Sequence, residues 1–251
     1  MTAHGALARS FERTGRDYDR YRPSFPQKAL DVLVPTRVTA LLDLGAGTGK
    51  LTELVRDRAE RVFAVDPSER MLSVLREKLP FVAALRGTAE AIPLPDASAD
   101  VVVVAQAFHW FDRDAASAEI RRVLRPGGTL GLVWNRSTPD CAWDWACGHV
   151  AHPPVAVRDE DPTADDPAAD RLPGFRLVQE RQVPWAEQIP RADYIRRWHT
   201  VSAFLTADEV QHAEMTARVE AILDTDPVTA GRSVLPLTNV ADAFRYEVID
   251  G

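Results

Sequence analysis

The stretch "LLDLGAGTGK", residues 41–50, decides the fold. Its first half is an apolar run of strand length that begins at Val38, and its second half carries glycine at every second position: Gly45, Gly47 and Gly49. The next residues, "TGKLTELVRDRA" (48–59), place Leu51, Leu54 and Val55 at helical spacing. Glycine adopts positive φ without a steric penalty and lets another molecule touch bare main chain. A strand, a tight glycine turn and a helix therefore follow one another within 22 residues, 38–59.

The same alternation continues outward. "RVFAVD" (61–66) reads as a second strand, and Ser68 is placed to cap a helix over "ERMLSVLREKL", with Met71, Leu72 and Leu75 on one face. Further strands are predicted at 81–87, 100–106 and 129–135, with a helix at 114–124 stopped by Pro126, Gly127 and Gly128. Strands that are apolar on both faces, separated by helices, imply a parallel sheet covered on both sides. Right-handed crossovers then bring the loops at the strands' carboxyl ends to one edge, where doubly wound sheets bind ligands.

Composition narrows the class of protein. The 251 residues carry 30 Lys and Arg against 37 Asp and Glu, a net charge of −7, which argues against nucleic acid or an anionic membrane as the main partner. Cys141 and Cys147 cannot build a disulfide framework and have no His or Cys at zinc-finger spacing. His149 and His152 likewise lack ligand partners, so no metal is expected. A cytoplasmic location is expected, because the N-terminal stretch has no signal-like apolar core and no run reaches the roughly 20 apolar residues of a membrane span.

Asp66 ends the second strand, 17 residues after Gly49, where a carboxylate accepts hydrogen bonds from both hydroxyls of a ribose. Loop and acid together predict a nucleoside ligand, with helix amides directed at it. The glycine spacing is G-x-G-x-G with Asp43 just before it, not the G-x-G-x-x-G that accommodates a pyrophosphate. An acid there suits an ammonium group, so a nucleoside joined to an amino acid fits better than a dinucleotide.

On "LLDLGAGTGKLT", "VFAVDPSERML", "RGTAEAIPLPDASADVVVVAQAFHWFD" and "EIRRVLRPGGTLGLVWN", the chain resembles the class I S-adenosylmethionine-dependent methyltransferases, in particular their small-molecule branch. That resemblance implies a Rossmann-like, doubly wound seven-stranded α/β sheet, mostly parallel with an antiparallel edge, and S-adenosyl-L-methionine as cofactor. It implies that Asp43, Gly45, Ala46 and Gly47 surround the methionine part, that Asp66 holds the ribose, and that Pro67, Met71, Thr88, Ala89 and Glu90 lie around the adenine. Ala105 and Gln106 are expected to face the sulfonium. The family usually has Asp where this chain has Thr88, so a backbone carbonyl or Glu90 would replace that contact. Tyr18, Tyr21 and Arg22, in "RTGRDYDRYRPSFP", are expected cofactor contacts in a closing N-terminal segment, with Arg22 on the cofactor carboxylate.

His109 is the candidate base, three residues past the fourth strand, or else it bounds the pocket beside Trp110. Phe108, Trp110 and Phe111 divide between core and pocket mouth, and Trp134 and Asn135 touch either acceptor or structure. Trp143, Trp145, Trp185 and Trp198 line an acceptor pocket or form an added helix layer.

The chain is divided into a closing segment (1–37), a cofactor-binding core (38–135), and an acceptor-binding insertion with C-terminal strands (136–251). The acidic, Pro-rich stretch 152–170 reads as a mobile loop or lid. Helices are expected at 191–203 and 206–224, the latter capped by Thr206 with Glu209, and a last strand within 232–248. The expected activity is methyl transfer to a small organic acceptor. Two alternatives stand beside it: a cofactor-binding cyclase or non-catalytic module, and an NAD(P)-dependent oxidoreductase, which should show the wider glycine spacing.

Overall fold

The computed structural model describes residues 15–151 and 172–249; the expected loop at 152–170 lies outside them. The elements run α1 (Gly15–Tyr21), α2 (Gln27–Leu33), β1 (Val38–Leu44), α3 (Lys50–Val55) and β2 (Ala59–Asp66). They continue with α4 (Glu69–Lys78), β3 (Ala83–Arg86), β4 (Ala99–Ala105), α5 (Arg113–Val123), β5 (Leu124–Ser137) and α6 (Ala142–Ala151). The last are β6 (Phe175–Pro190), α7 (Arg191–Trp198), α8 (Ser202–Thr206), α9 (Glu209–Thr225) and β7 (Val234–Val248).

The strands form one seven-stranded sheet in the order β3-β2-β1-β4-β5-β7-β6. The pairs β1–β2, β1–β4, β2–β3 and β4–β5 are parallel. At the other edge the partners run in opposite directions: Arg176 meets Glu247, Gln179 meets Arg245, and the Arg191 N–H donates to the Ser233 carbonyl. The expected fold, mostly parallel with an antiparallel edge, is the observed one. Because the chain moves from β1 outward to β3 and then returns to β4, the strand order reverses between β1 and β4. That reversal is the place where open α/β sheets take ligands.

Alternation along each strand sorts its residues between two faces. Leu42, Leu44, Val65, Val102, Val104, Leu130 and Leu132 join Ala116, Ile120 and Val123 of α5 in one buried cluster. On the opposite face Ala64 packs with Leu72, Leu75 and Leu79 of the α4 segment. Gly131 admits Leu33 of α2, whose Cβ lies 3.0 Å from where a side chain would begin. Helices thus cover both faces, as unbroken apolar strands require.

Several boundaries shift by a few residues from expectation, and three of the differences have a clear physical cause. The fourth-to-fifth crossover helix stops at Val123, before the Pro-Gly-Gly sequence, because Leu124 is already extended and pairs with Ala99. Pro126, Gly127 and Gly128 then fall inside β5. The helix expected at 191–203 is split, since Thr200 and Val201 turn back onto Arg197 and Trp198. Finally, the cap of α9 is Asp208 with Gln211, both halves of the capping box being present; the Thr206 hydroxyl instead donates to the Ser202 carbonyl.

By internal contacts the chain forms two compact units. Among the described residues, one takes 24–135, 172–183 and 241–249, and holds β1–β4 and most of β5; the other, mostly helical, takes 15–23, 136–151 and 184–240. The helical unit has its own core, in which Trp143, Tyr194, Trp198, Phe204, Val219 and Leu223 are buried. Trp143 and Trp198 are therefore core residues of an added helix layer.

Candidate active site

The glycine loop is held by what flanks it in sequence. Gly45 and Ala46 donate their N–H groups to the Val65 carbonyl at 2.8 and 3.1 Å, which pins the loop across the end of β2. Asp66 accepts from the Gly47 N–H (2.9 Å) through one carboxylate oxygen and from the Ser68 N–H (2.8 Å) through the other. Gly49 donates to the Ala46 carbonyl at 2.9 Å. These loop amides are thus engaged within the protein.

All three glycines have positive φ, 71°, 55° and 80°, but for different reasons. A side chain at Gly45 would meet the Ala107 methyl at 2.7 Å and Phe111 at 3.3 Å, and one at Gly49 would meet Leu75 at 2.8 Å. At Gly47 nothing lies within 4 Å. Gly45 and Gly49 serve packing; Gly47 leaves a gap over bare main chain.

Two acids border that loop. Asp43 has no exposed surface. Its Oδ2 accepts from the Thr52 hydroxyl at 2.5 Å, and its Oδ1 is buried with no hydrogen-bond partner. Burial pushes its carboxyl up to about 7, against the Thr52 hydrogen bond and with help from the Asp66 charge. Asp66 is also raised by burial, opposed by its two main-chain bonds. Each Asp66 oxygen keeps a second lone pair for a further donor.

The other residues expected at the sheet's carboxyl rim fall as follows. Pro67 is exposed, with its carbonyl taken by Arg86; Met71 is buried on α4, its N–H capped by Ser68. Thr88 is exposed and bridged to Ala91, the Ala89 methyl sits in the core, and Glu90 accepts from the Asp112 N–H at 3.0 Å. The Ala46 methyl packs with Leu72 and Leu75, leaving its main chain to the loop.

Ala105 ends β4, and Gln106 follows with φ 55°, a left-handed conformation uncommon outside glycine. Gln106 is held there by its N–H on the Val133 carbonyl (3.0 Å) and its side-chain amide on the Asn135 carbonyl (3.1 Å). His109 is exposed on a single 3-10 turn, Phe108–Trp110, its ring 4.7 Å from that of Trp110. Phe108 is buried, with Phe111 edge-on at 5.5 Å. Trp134 packs edge-on against Phe244, and the Asn135 side chain donates to the Ser24 carbonyl.

Tyr18, Tyr21 and Arg22 belong to the helical unit. The Arg22 guanidinium lies over the Tyr18 ring at 5.1 Å and donates to the Thr200 carbonyl at 3.0 Å; the Tyr21 hydroxyl accepts from Arg196 at 2.7 Å. Trp145 is exposed and Trp185 half-buried. Among the described residues no cluster of His, Cys, Asp and Glu could hold a metal. Nor is any helix there long and apolar enough to cross a membrane.

Residues 42–132 match the family model described as a methyltransferase domain. An uncharacterized methyltransferase of Mycobacterium tuberculosis is 41% identical over 239 residues, spanning 95% of this chain and 96% of that one. The chain belongs to the S-adenosylmethionine-dependent methyltransferases. A malonyl-[acyl-carrier protein] O-methyltransferase of Serratia marcescens is 35% identical over 129 residues, 50% of this chain and 51% of that one. Among solved structures, a putative type II methyltransferase from Anaeromyxobacter dehalogenans superposes with a TM-score of 0.66 at 28% identity, covering 92% of this chain and all of that one. The oxidoreductase alternative is thereby set aside.

This methyltransferase has residues that fit its cofactor. The buried, unpartnered Asp43 Oδ1 suits an ammonium, the spare lone pairs of Asp66 suit two hydroxyls, and the gap at Gly47 admits an amino-acid tail against main chain. Thr52, and the left-handed backbone of Gln106, are not among the features expected from the sequence. A Thr among apolar positions in the first turn of α3 was the available signal for one, and none marks the other.

Proposed function

We propose that the methyltransferase moves a methyl group from S-adenosylmethionine to a small organic acceptor, residues 136–251 choosing that acceptor. The observation that carries this reading is Gly47: left-handed, tied to Asp66 through its N–H, with open space where a side chain would stand. The bound cofactor supplies a methyl on a sulfonium, which already has a good leaving group. What the chain has to do is orient the partners and exclude water.

In this reading Asp66 accepts from the ribose hydroxyls and Asp43 from the ammonium, while the main chain of Gly45, Ala46 and Gly47 lies along the tail. Pro67, Met71 and the 88–90 stretch border the adenine, and Ala105 and Gln106 border the reacting end. His109, whose ring is exposed, removes a proton beside Trp110 where the acceptor must lose one. A small acceptor is supported by the net charge of −7, which disfavours nucleic acid.

Two measurements test this. Calorimetry should give binding of S-adenosylhomocysteine and none of NADH. Cell extract incubated with methyl-labelled cofactor should then yield label in small, acid-soluble products. Label confined to precipitated macromolecules, or no transfer at all, overturns the reading. A His109→Gln variant with unchanged turnover and cofactor affinity removes the proposed base.

A further inference from the structure

Helix α7 presents Tyr194, Arg197 and Trp198, at helical spacing, to the core of the helical unit. Two of these are ordinary core residues; Arg197 is not. It is 8% exposed, its Nη1 is buried with no hydrogen-bond partner, and no ion pair satisfies its guanidinium among the described residues. Its central carbon stands 6.0 Å from the Tyr194 ring centre.

A second cation lies close by. Arg22 spends Nη2 on the Thr200 carbonyl, while its Nε is buried without a partner. Thr200 also turns back onto Arg197, donating its N–H and its hydroxyl to the Arg197 carbonyl at 3.1 and 2.7 Å. One residue therefore ties both arginine-bearing segments together. Burial lowers the Arg22 guanidinium below its usual range, and the Arg197 charge adds to that against the Tyr18 ring. A buried acid of the same unit, Asp144, accepts the Tyr194 hydroxyl at 2.7 Å through Oδ1 and forms no ion pair with either arginine; its Oδ2 is buried without a hydrogen-bond partner.

A buried guanidinium with a donor left unmet is unfavourable, and replacing buried charge with an apolar side chain often stabilises a fold. An arriving anion would meet the unmet donor, and a guanidinium's parallel N–H groups match a carboxylate. The surroundings are aromatic, with Trp143, Tyr194, Trp198 and Phe204 buried in the same core. That favours an anion carried on an apolar body over an inorganic ion.

We propose that Arg197, assisted by the Nε–H of Arg22, binds a carboxylate of the methyl acceptor, so that the acceptor is an apolar organic acid. This rests on the reading of the chain as a methyltransferase of small organic acceptors. The competing source of the same chemistry is the cofactor's own carboxylate, the role expected of Arg22 from its sequence.

The test uses the full chain saturated with S-adenosylhomocysteine, with hexanoate as probe and hexanamide and sodium chloride as controls. At tenfold over its dissociation constant, hexanoate should raise the melting midpoint by about 3 °C, and neither control should. Arg197→Met should lose that shift and melt, unliganded, at or above the wild type. Its affinity for S-adenosylhomocysteine should stay within about twofold of the wild type, and Arg197→Lys, which keeps the charge, should retain part of the hexanoate shift.

The proposal falls if hexanoate produces no shift, if hexanamide or salt matches it, or if Arg197→Met melts below the wild type. It also falls if that variant loses about tenfold or more in S-adenosylhomocysteine affinity, which assigns the guanidinium to the cofactor. Failure of the wild type to bind S-adenosylhomocysteine breaks the methyltransferase reading instead, and the hexanoate shift measured without it still reads the carboxylate site.

Discussion

The two units bury polar groups in opposite ways. Around the glycine loop, partners are close in sequence: Asp66 meets the N–H groups of Ser68 and Gly47, 2 and 19 positions away, and Asp43 meets Thr52, 9 away. In the helical unit, Tyr194 reaches Asp144 across 50 positions, Arg196 reaches Tyr21 across 175, and Arg22 reaches Thr200 across 178. The first kind of site is built by local chain geometry, so it stands ready before any ligand arrives. The second depends on distant helices and leaves donors of Arg22 and Arg197 unmet. We place cofactor recognition in the local kind and acceptor recognition in the other.

The comparison breaks most sharply at Asp66. Asp66→Ala removes the proposed acceptor for two ligand hydroxyls and releases the N–H groups of Gly47 and Ser68. Two charge-assisted bonds together contribute about 4 kcal/mol, so S-adenosylhomocysteine affinity should fall roughly 1,000-fold. A loss below about tenfold in calorimetry would detach the ribose from this acid.

Next come the glycines. Gly45→Ala combines a left-handed backbone with a methyl 2.7 Å from that of Ala107, and should cost about 3 kcal/mol of stability. Gly47→Ala meets nothing and should cost only about 1 kcal/mol, the backbone penalty alone. Its effect should appear in binding instead, as a loss above about tenfold. Equal melting points for the two variants would erase the distinction between packing and ligand room.

Asp43 gives a pH test. With its carboxyl near 7, it is ionised above neutrality and neutral below, and a ligand's ammonium prefers the ionised form. Affinity for S-adenosylhomocysteine should therefore drop about tenfold from pH 8 to pH 6. Stability of the unliganded chain has the opposite sign. The folded state holds this proton more tightly than the ordinary carboxyl value of 3.8 allows, so stability declines as pH rises from about 4 through 7. Asp43→Asn should flatten both curves.

The same division explains what could be read from the chain. β1, the loop, β2 and Asp66 were legible because turn chemistry and periodicity act over a few residues; the Ser68 cap on Met71 is of that kind. The position of Gln106 was legible, but its left-handed conformation was not. Its left-handed φ depends on β5 supplying the Val133 and Asn135 carbonyls, and no local pattern announces a partner 29 residues away. Arg197 was missed for a similar reason: at helical spacing it resembles a surface charge, and only the packing of α7 buries it. The end of α5 shows a local signal overtaken by a distant one. Pro126 marks a stop, but the pairing of Leu124 with Ala99, 25 positions back, ends the helix before the proline is reached.

The smallest effect separates two neighbouring residues in the helical unit. Asp208 accepts the Gln211 N–H at 2.8 Å while the Gln211 side chain takes the Asp208 N–H at 3.2 Å. The acid also lies at the positive end of α9, a helix of 17 residues. Asp208→Ala should cost about 1 kcal/mol and lower the melting midpoint by about 3 °C. Thr206, whose hydroxyl turns back into α8, satisfies no N–H of α9, so Thr206→Ala should move the midpoint by less than about 1 °C. If the two variants melt in the reverse order, α9 begins at Thr206, and even the local rules fail to hold in the unit where distant contacts dominate.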